Sequence, residues 1–230
     1  MKRRVAICSP TRNRPHDAFI EALERSVPYL DAAGFDHAAV FEVGCPYISG
    51  ARCTLLGKAL AWGATDIVFI DDDVSWQPED LVRLVETEGD VVCGTYRYKI
   101  EEPKFMGVPY VGHGGHPLVR ADGCVHMMAA PAGFLRVSRE TVKRFREHFP
   151  DLAIGDATTG ENVDIFNHGA YMGVWFGEDY AMCRRLGDMG IDVWCIPTLN
   201  LVHNDPGKAF GGTYHEYLTT YRKPEERMAA

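Results

Sequence analysis

Apolar and polar positions fall into two alternating patterns over the first hundred residues. Short apolar runs rich in β-branched residues stand at 4–9 (RVAICS), 38–43, 66–70 (DIVFI) and 90–94 (DVVCG). Between them, apolar residues recur at helical spacing. Phe19, Leu23 and Val27 mark one face of a predicted helix over 16–27, with Pro28 and Gly34 as its end signals. Leu55, Leu56, Ala59 and Leu60 mark another over 51–62, after a loop at 44–50. A third helix over 78–86 carries Pro78 in its first turn, where the missing N–H costs nothing. Strand and helix alternate throughout, which predicts a wound α/β nucleotide-binding layer.

After Gly94 the texture changes to shorter segments. Strands are predicted at 104–111, 124–129, 134–137 and 192–196, and helices at 139–149 and 177–187. Val142, Phe145 and Phe149 line one side of the first of these helices. The Gly- and Asp-rich stretch 150–166 has no period and reads as a mobile loop. The polar end from 223 reads as a flexible tail. There is no internal repeat.

The apolar run at 66–70 ends in Asp71, Asp72 and Asp73. Three adjacent carboxylates repel one another and need a counter-charge. Hard oxygen ligands suit Mg2+ or Mn2+. In open α/β sheets ligands gather at the carboxyl ends of strands, where these acids stand. The bland reading is a solvated acidic turn before the helix at 78.

Composition narrows the picture modestly. The 230 residues have a formal net charge of -8, which disfavours broad nucleic-acid binding and leaves room only for a local basic patch. No apolar run is long enough to span a bilayer, and the N-terminal segment lacks the apolar stretch of a signal peptide. The seven cysteines form no CxxC pair and read as reduced core thiols of a cytoplasmic protein rather than a zinc site. His113, His116 and His126 lie in a glycine-rich setting that matches no metal-ligand spacing.

Taken in order, DIVFIDDDVSW, GTYRYK, PAGFLRVSRE, WFGEDYAMCRRLGDMG and LNLVHND resemble the motifs of GT-A glycosyltransferases, in particular small phage and bacterial sugar transferases related to family 2. The resemblance covers roughly residues 4–215. It implies one catalytic domain over 1–222, with a Rossmann-like nucleotide half (1–99) and an acceptor half (100–222) sharing a mixed central sheet. It implies a UDP- or GDP-sugar donor and Mn2+ or Mg2+ as cofactor. Asp73 would ligate the metal directly, with Asp71 and the late His203 beside it. Asp72 stays among the donor-side residues, although an extended backbone would turn its side chain away.

Pro10, Thr11 and Arg12 would seat the base and ribose. Arg52 would reach the nucleotide, Gly133 would adjoin the donor sugar, and Lys208, in a glycine-rich loop, would reach the diphosphate. Asp179 of the Glu178-Asp179 pair would deprotonate the acceptor hydroxyl with inversion at the sugar. Glu178 would shape the acceptor site and Trp175 would stack on an acceptor ring. The acceptor would be a glycan or another hydroxyl compound, with a modified nucleobase less favoured by the charge. Acids at a helix start also suit its dipole without any catalysis.

Two other classes compete. FIDDDVS fits the nucleophile motif of haloacid dehalogenase-like phosphatases, which normally lies on the first strand. A non-catalytic sugar-binding module needs neither acid pair.

Overall fold

The computed structural model describes residues 2–155, 160 and 162–220. In the first half β1 (Arg4–Thr11) is followed by α1 (Asp17–Ala32), β2 (Asp36–Val43), α2 (Ile48–Trp62), β3 (Asp66–Ile70), the short β4 (Val74–Ser75), α3 (Pro78–Glu86) and β5 (Val91–Cys93). The second half adds β6 (Val108–Pro109), β7 (Val125–Ala129), β8 (Phe134–Ser138), α4 (Arg139–His148), and a single 3-10 turn at Pro150–Leu152. It continues through β9 (Ala153–Ile154), β10 (Asn162–Val163), β11 (Gly169–Tyr171), β12 (Val174–Phe176), α5 (Glu178–Asp188), β13 (Val193–Cys195), β14 (Val202–Asp205), β15 (Lys208–Phe210) and α6 (Tyr214–Thr220).

One eight-stranded sheet in the order β2-β1-β3-β8-β5-β13-β7-β6 runs through both halves. The pairs β1·β2, β1·β3 and β13·β5 are parallel, while β8 lies antiparallel between β3 and β5. This is the α/β architecture that the resemblance implies, a Rossmann-like layer with a mixed central sheet. Strand β3 is buried along its whole length, and its alternating side chains feed two cores. Ile67 and Phe69 join Leu55, Leu56, Phe145 and Met182 on one face. Val68 and Ile70 join Phe19, Leu81 and Leu84 on the other.

At the far end of the sheet, Arg136 of β8 is buried against Asp66 at 3.1 Å and the Val85 carbonyl at 3.0 Å. Asp66 opposes Ser138 in register, so the pair locks β8 onto β3.

Several boundaries differ from expectation. Helix α1 runs through Pro28 to Ala32, and its inner face is Phe19, Ala22, Ser26 and Leu30, leaving Val27 exposed. Packing holds the last turn despite the lost N–H: Leu30 is fully buried and Ser26 accepts a 2.9 Å bond from the Trp76 indole. The strand expected at 104–111 shrinks to Val108–Pro109, an edge segment with a register shift. The stretch 150–166 is not simply a loop. It pairs β9 with β10 and buries Val163, Ile165 and Phe166. Residues 156–159 and 161, and the tail from 223, lie outside the described residues.

Candidate active site

The carboxyl ends of β1, β3 and β5 open at one edge of the sheet. Because β8 is antiparallel, its first residue arrives at the same edge, with Phe134 opposite Ile70. A cavity of about 710 Å³ lies there. Asp71, Asp72, Asp73, Glu178, Asp179 and His203 all line it, although more than a hundred residues separate the two groups. Pro10, Thr11 and Arg12, from the end of β1, form another wall, beside Cys45 and Pro46.

The three aspartates do not alternate across a strand as an extended backbone requires. Strand β3 stops at Ile70, and the Val74 N–H bonds back to the Asp71 carbonyl at 3.0 Å, closing a turn. The turn brings all three acids onto the cavity, Asp72 included. Burial pushes the Asp72 carboxyl above the usual range, while the Thr11 hydroxyl works in the other direction.

Asp71 is tied to the scaffold. Its Oδ1 accepts from Arg52 at 2.7 Å and its Oδ2 accepts from the Tyr96 hydroxyl at 3.1 Å. The other arm of Arg52 donates to Glu178 at 2.6 Å. Arg52 is 3% exposed and lies 5.4 Å over the Phe166 ring. Arg52, expected from sequence to reach the nucleotide, lines the cavity and bonds with two of its nitrogens to Asp71, just after β3, and Glu178, at the start of α5. Burial works against the charged guanidinium, but Asp71 and Glu178 hold it firmly protonated.

Gly133 explains how Asp71 and Tyr96 fit together. Its carbonyl accepts from the Asp71 N–H at 3.1 Å. A Cβ built on it would fall inside both the Tyr96 hydroxyl and the Asp71 carboxylate. The glycine therefore stands behind Asp71.

Asp73 faces a different set of partners. Its Oδ2 accepts from Lys99 at 2.7 Å and lies 3.4 Å from Nε2 of His203. Lys99 also approaches Asp205 at 3.6 Å. The small sheet β15-β14-β4 fixes this arrangement, setting His203 opposite Val74. Asn204 reinforces it, donating from both its backbone and its side chain to the Asp73 carbonyl at 2.8 and 3.0 Å. Burial would raise the Asp73 carboxyl, yet hydrogen bonds from His203 and Lys99 bring it below the usual range.

The expected metal set was Asp73, Asp71 and His203. The structure brings Asp73 and His203 together, whereas both oxygens of Asp71 are engaged with Arg52 and Tyr96. Among the described residues no group of three or more His, Cys, Asp or Glu side chains is gathered to hold a metal ion. A carboxylate and an imidazole still fit a divalent ion whose remaining ligands come from substrate phosphates and water. Nδ1 of His203 is 2.8 Å from the Arg97 carbonyl, which only accepts, so Nδ1 carries the proton. That backbone bond fixes the ring with Nε2 turned toward Asp73, the outer-shell pattern of a metal-ligating histidine.

Asp179 opens α5 with Glu178, after Gly177. Its Oδ1 accepts from the Tyr180 N–H at 2.8 Å. Burial, and then the neighbouring Glu178 charge, push its carboxyl up to about 6. The two acids thus differ: Glu178 is clamped by Arg52, and Asp179 is hydrogen-bonded to the N–H of its own helix end.

Trp175 stands outside the cavity lining, on the β11–β12 hairpin that leads into α5, and is 70% exposed. Met172 at the hairpin turn has φ 48 and its neighbours Tyr171 and Val174 are exposed too. Lys208 sits on β15 paired with Glu101 and does not line the cavity. Tyr96 and Lys99 were missed. Both lie just after β5, a strand whose end shares the edge of β3, and their GTYRYK segment carried that signal. Asn204 had none, because its role is to hold a carbonyl.

The phosphatase reading asks Asp71 to be a free nucleophile on the first strand. Here Asp71 follows the third strand of the chain and both its oxygens are bonded.

By its topology the chain is a mixed α/β protein with a cavity at the switch between β1 and β3. No protein family and no curated protein matches it. Similar solved structures include a mutant Drosophila beta-1,4-galactosyltransferase 7 in complex with manganese, UDP-Gal and xylobiose, at 15% identity and a TM-score of 0.44, over 98% of this chain and 79% of that one. GalNAc-T7 with UDP, GalNAc and Mn2+ is similar over 87% of this chain, at 9% identity and a TM-score of 0.49; the chain spans 43% of that protein's length. No helix among the described residues is long and apolar enough to cross a membrane.

Proposed function

We propose that the chain is a GT-A glycosyltransferase that moves a sugar from a UDP- or GDP-sugar to a hydroxyl acceptor, with inversion and with Mn2+ or Mg2+. The observation that carries this is the meeting of Asp73 with His203 and of Asp179 in one cavity at the carboxyl end of a wound sheet. The two stations suit the two ends of the reaction.

Asp73 and His203 would hold the divalent ion, which offsets the charge that develops on the departing diphosphate. Thr11 and Arg12 would seat the nucleoside at the end of β1. Asp179 acts at the acceptor: its carboxylate takes the hydroxyl proton as the acceptor oxygen attacks the anomeric carbon. The bond from that carbon to the diphosphate oxygen breaks, and its electron pair leaves with the diphosphate. A carboxyl shifted up to about 6 is a stronger base than an ordinary aspartate and is still ionised at neutral pH. Glu178 is engaged with Arg52 and keeps the acceptor side in shape rather than taking the proton.

Isothermal titration with UDP and GDP, in Mn2+ and in EDTA, tests the donor half. Saturable binding of one nucleotide only in Mn2+, lost in Asp73→Asn, is expected. Binding of glycan without any metal dependence, and of neither nucleotide, would instead favour a sugar-binding module.

A further inference from the structure

We infer that Lys99 is a built-in cation: it holds the metal position of Asp73 when no divalent ion is bound, and turns to the donor diphosphate when one is. The inference rests on the transferase reading above.

The geometry at Asp73 calls for a positive charge. Oδ2 of the partly buried Asp73 carboxylate lies 3.4 Å from Nε2 of His203. Lys99 Nζ, 2.7 Å from the same Oδ2 and 3.6 Å from Asp205, supplies the charge.

The second observation is the contrast with Arg52. Arg52 is buried and bonded to two acids on separate elements, so it is part of the frame. The Lys99 side chain is 29% exposed, lines the cavity, and belongs to the irregular segment between β5 and β6. It is a point charge on a long, flexible stem, partly open to solvent. A divalent ion at Asp73 and an ammonium on the same oxygen repel each other, so one displaces the other. The displaced ammonium remains at the cavity wall, where the charge of a diphosphate arrives. Lys208, expected from sequence to play this part, is paired with Glu101 instead.

Two affinities that move in opposite directions test the inference. Mn2+ alone is titrated calorimetrically into the full chain, Lys99→Met and Asp73→Asn; UDP and GDP are then titrated at saturating Mn2+. Thermal melts check folding, with Lys99→Gln as the second variant. Lys99→Met should bind Mn2+ at least about tenfold more tightly than the parent and bind the nucleotide about tenfold more weakly. A lysine that merely supports the structure would weaken both. Loss of Mn2+ binding in Asp73→Asn with no gain in Lys99→Met would overturn the lysine role and leave the metal site standing. Nucleotide affinity unchanged in Lys99→Met would overturn the diphosphate role. Mn2+ binding untouched by Asp73→Asn would remove the metal assignment and this inference with it.

Discussion

Arg52 and Glu178 are 126 residues apart in the chain and meet at 2.6 Å. The same guanidinium holds Asp71, so one buried cation joins the end of β3 to the start of α5. A single side chain therefore ties the residue two before Asp73 to the residue before Asp179.

Replacing Arg52 should expose that dependence. Arg52→Met leaves Asp71 and Glu178 without their shared cation, and loss of one member of a buried ionic cluster costs about 3 kcal/mol. Denaturant unfolding should show that loss. The double variant Arg52→Met/Glu178→Gln should recover part of it, because one of the stranded charges is gone. Equal stability of the single variant and the parent would contradict the clamp.

Gly133→Ala should perturb the donor wall through steric overlap with Tyr96 and Asp71. Overpacking of this kind typically costs about 1–3 kcal/mol. Adding Tyr96→Phe removes the clashing hydroxyl and should restore part of the stability. If Gly133→Ala unfolds at the same denaturant concentration as the parent, the close approach is not as described.

The acceptor side has a pH signature. Asp179 must be ionised to accept a proton, so transfer should rise with pH through about 6 and level off above it. Asp179→Asn should lose about 10² to 10⁴ in transfer rate while keeping nucleotide affinity. Stability carries the opposite sign. The folded carboxyl is raised, so its contribution is greatest below the ordinary carboxylate range and is lost as pH climbs through about 6. Asp179→Asn should therefore be more stable than the parent at pH 7, by about 1 kcal/mol. A variant that loses activity and stability together would point to a structural role instead.

How much of this was legible beforehand depended on whether a residue acts through its neighbours in sequence or through the fold. The layer of β1 to β5 was readable because fully buried strands and amphipathic helices each leave a local pattern. The acids of the site were readable because carboxylates at a strand end and at a helix start need a reason. The ion pairs of Arg52 were not, since its partners come from two distant elements. The side chain of Asp72, expected to turn away, lines the cavity because a turn, closed by Val74 and Asp71, replaced an extended strand. Pro28 misled because the buried Leu30 outweighs one missing hydrogen bond.

The exposed hairpin offers a separable test. Trp175→Ala removes a large exposed ring without opening a core. It should raise the acceptor KM by about tenfold, the scale of one lost aromatic contact, and leave donor hydrolysis unchanged. A fall in donor turnover would place Trp175 with the donor rather than the acceptor.

The central claim is metal-dependent sugar transfer from a nucleotide donor in this one cavity. It is tested most directly by following a panel of UDP- and GDP-sugars by NMR with the chain in Mn2+, in EDTA, and with Asp73→Asn. The account predicts release of a nucleoside diphosphate from at least one donor in Mn2+, absent in EDTA and in Asp73→Asn. Release that persists in EDTA and in Asp73→Asn, or turnover of a generic phosphate ester with every nucleotide sugar left intact, would contradict it.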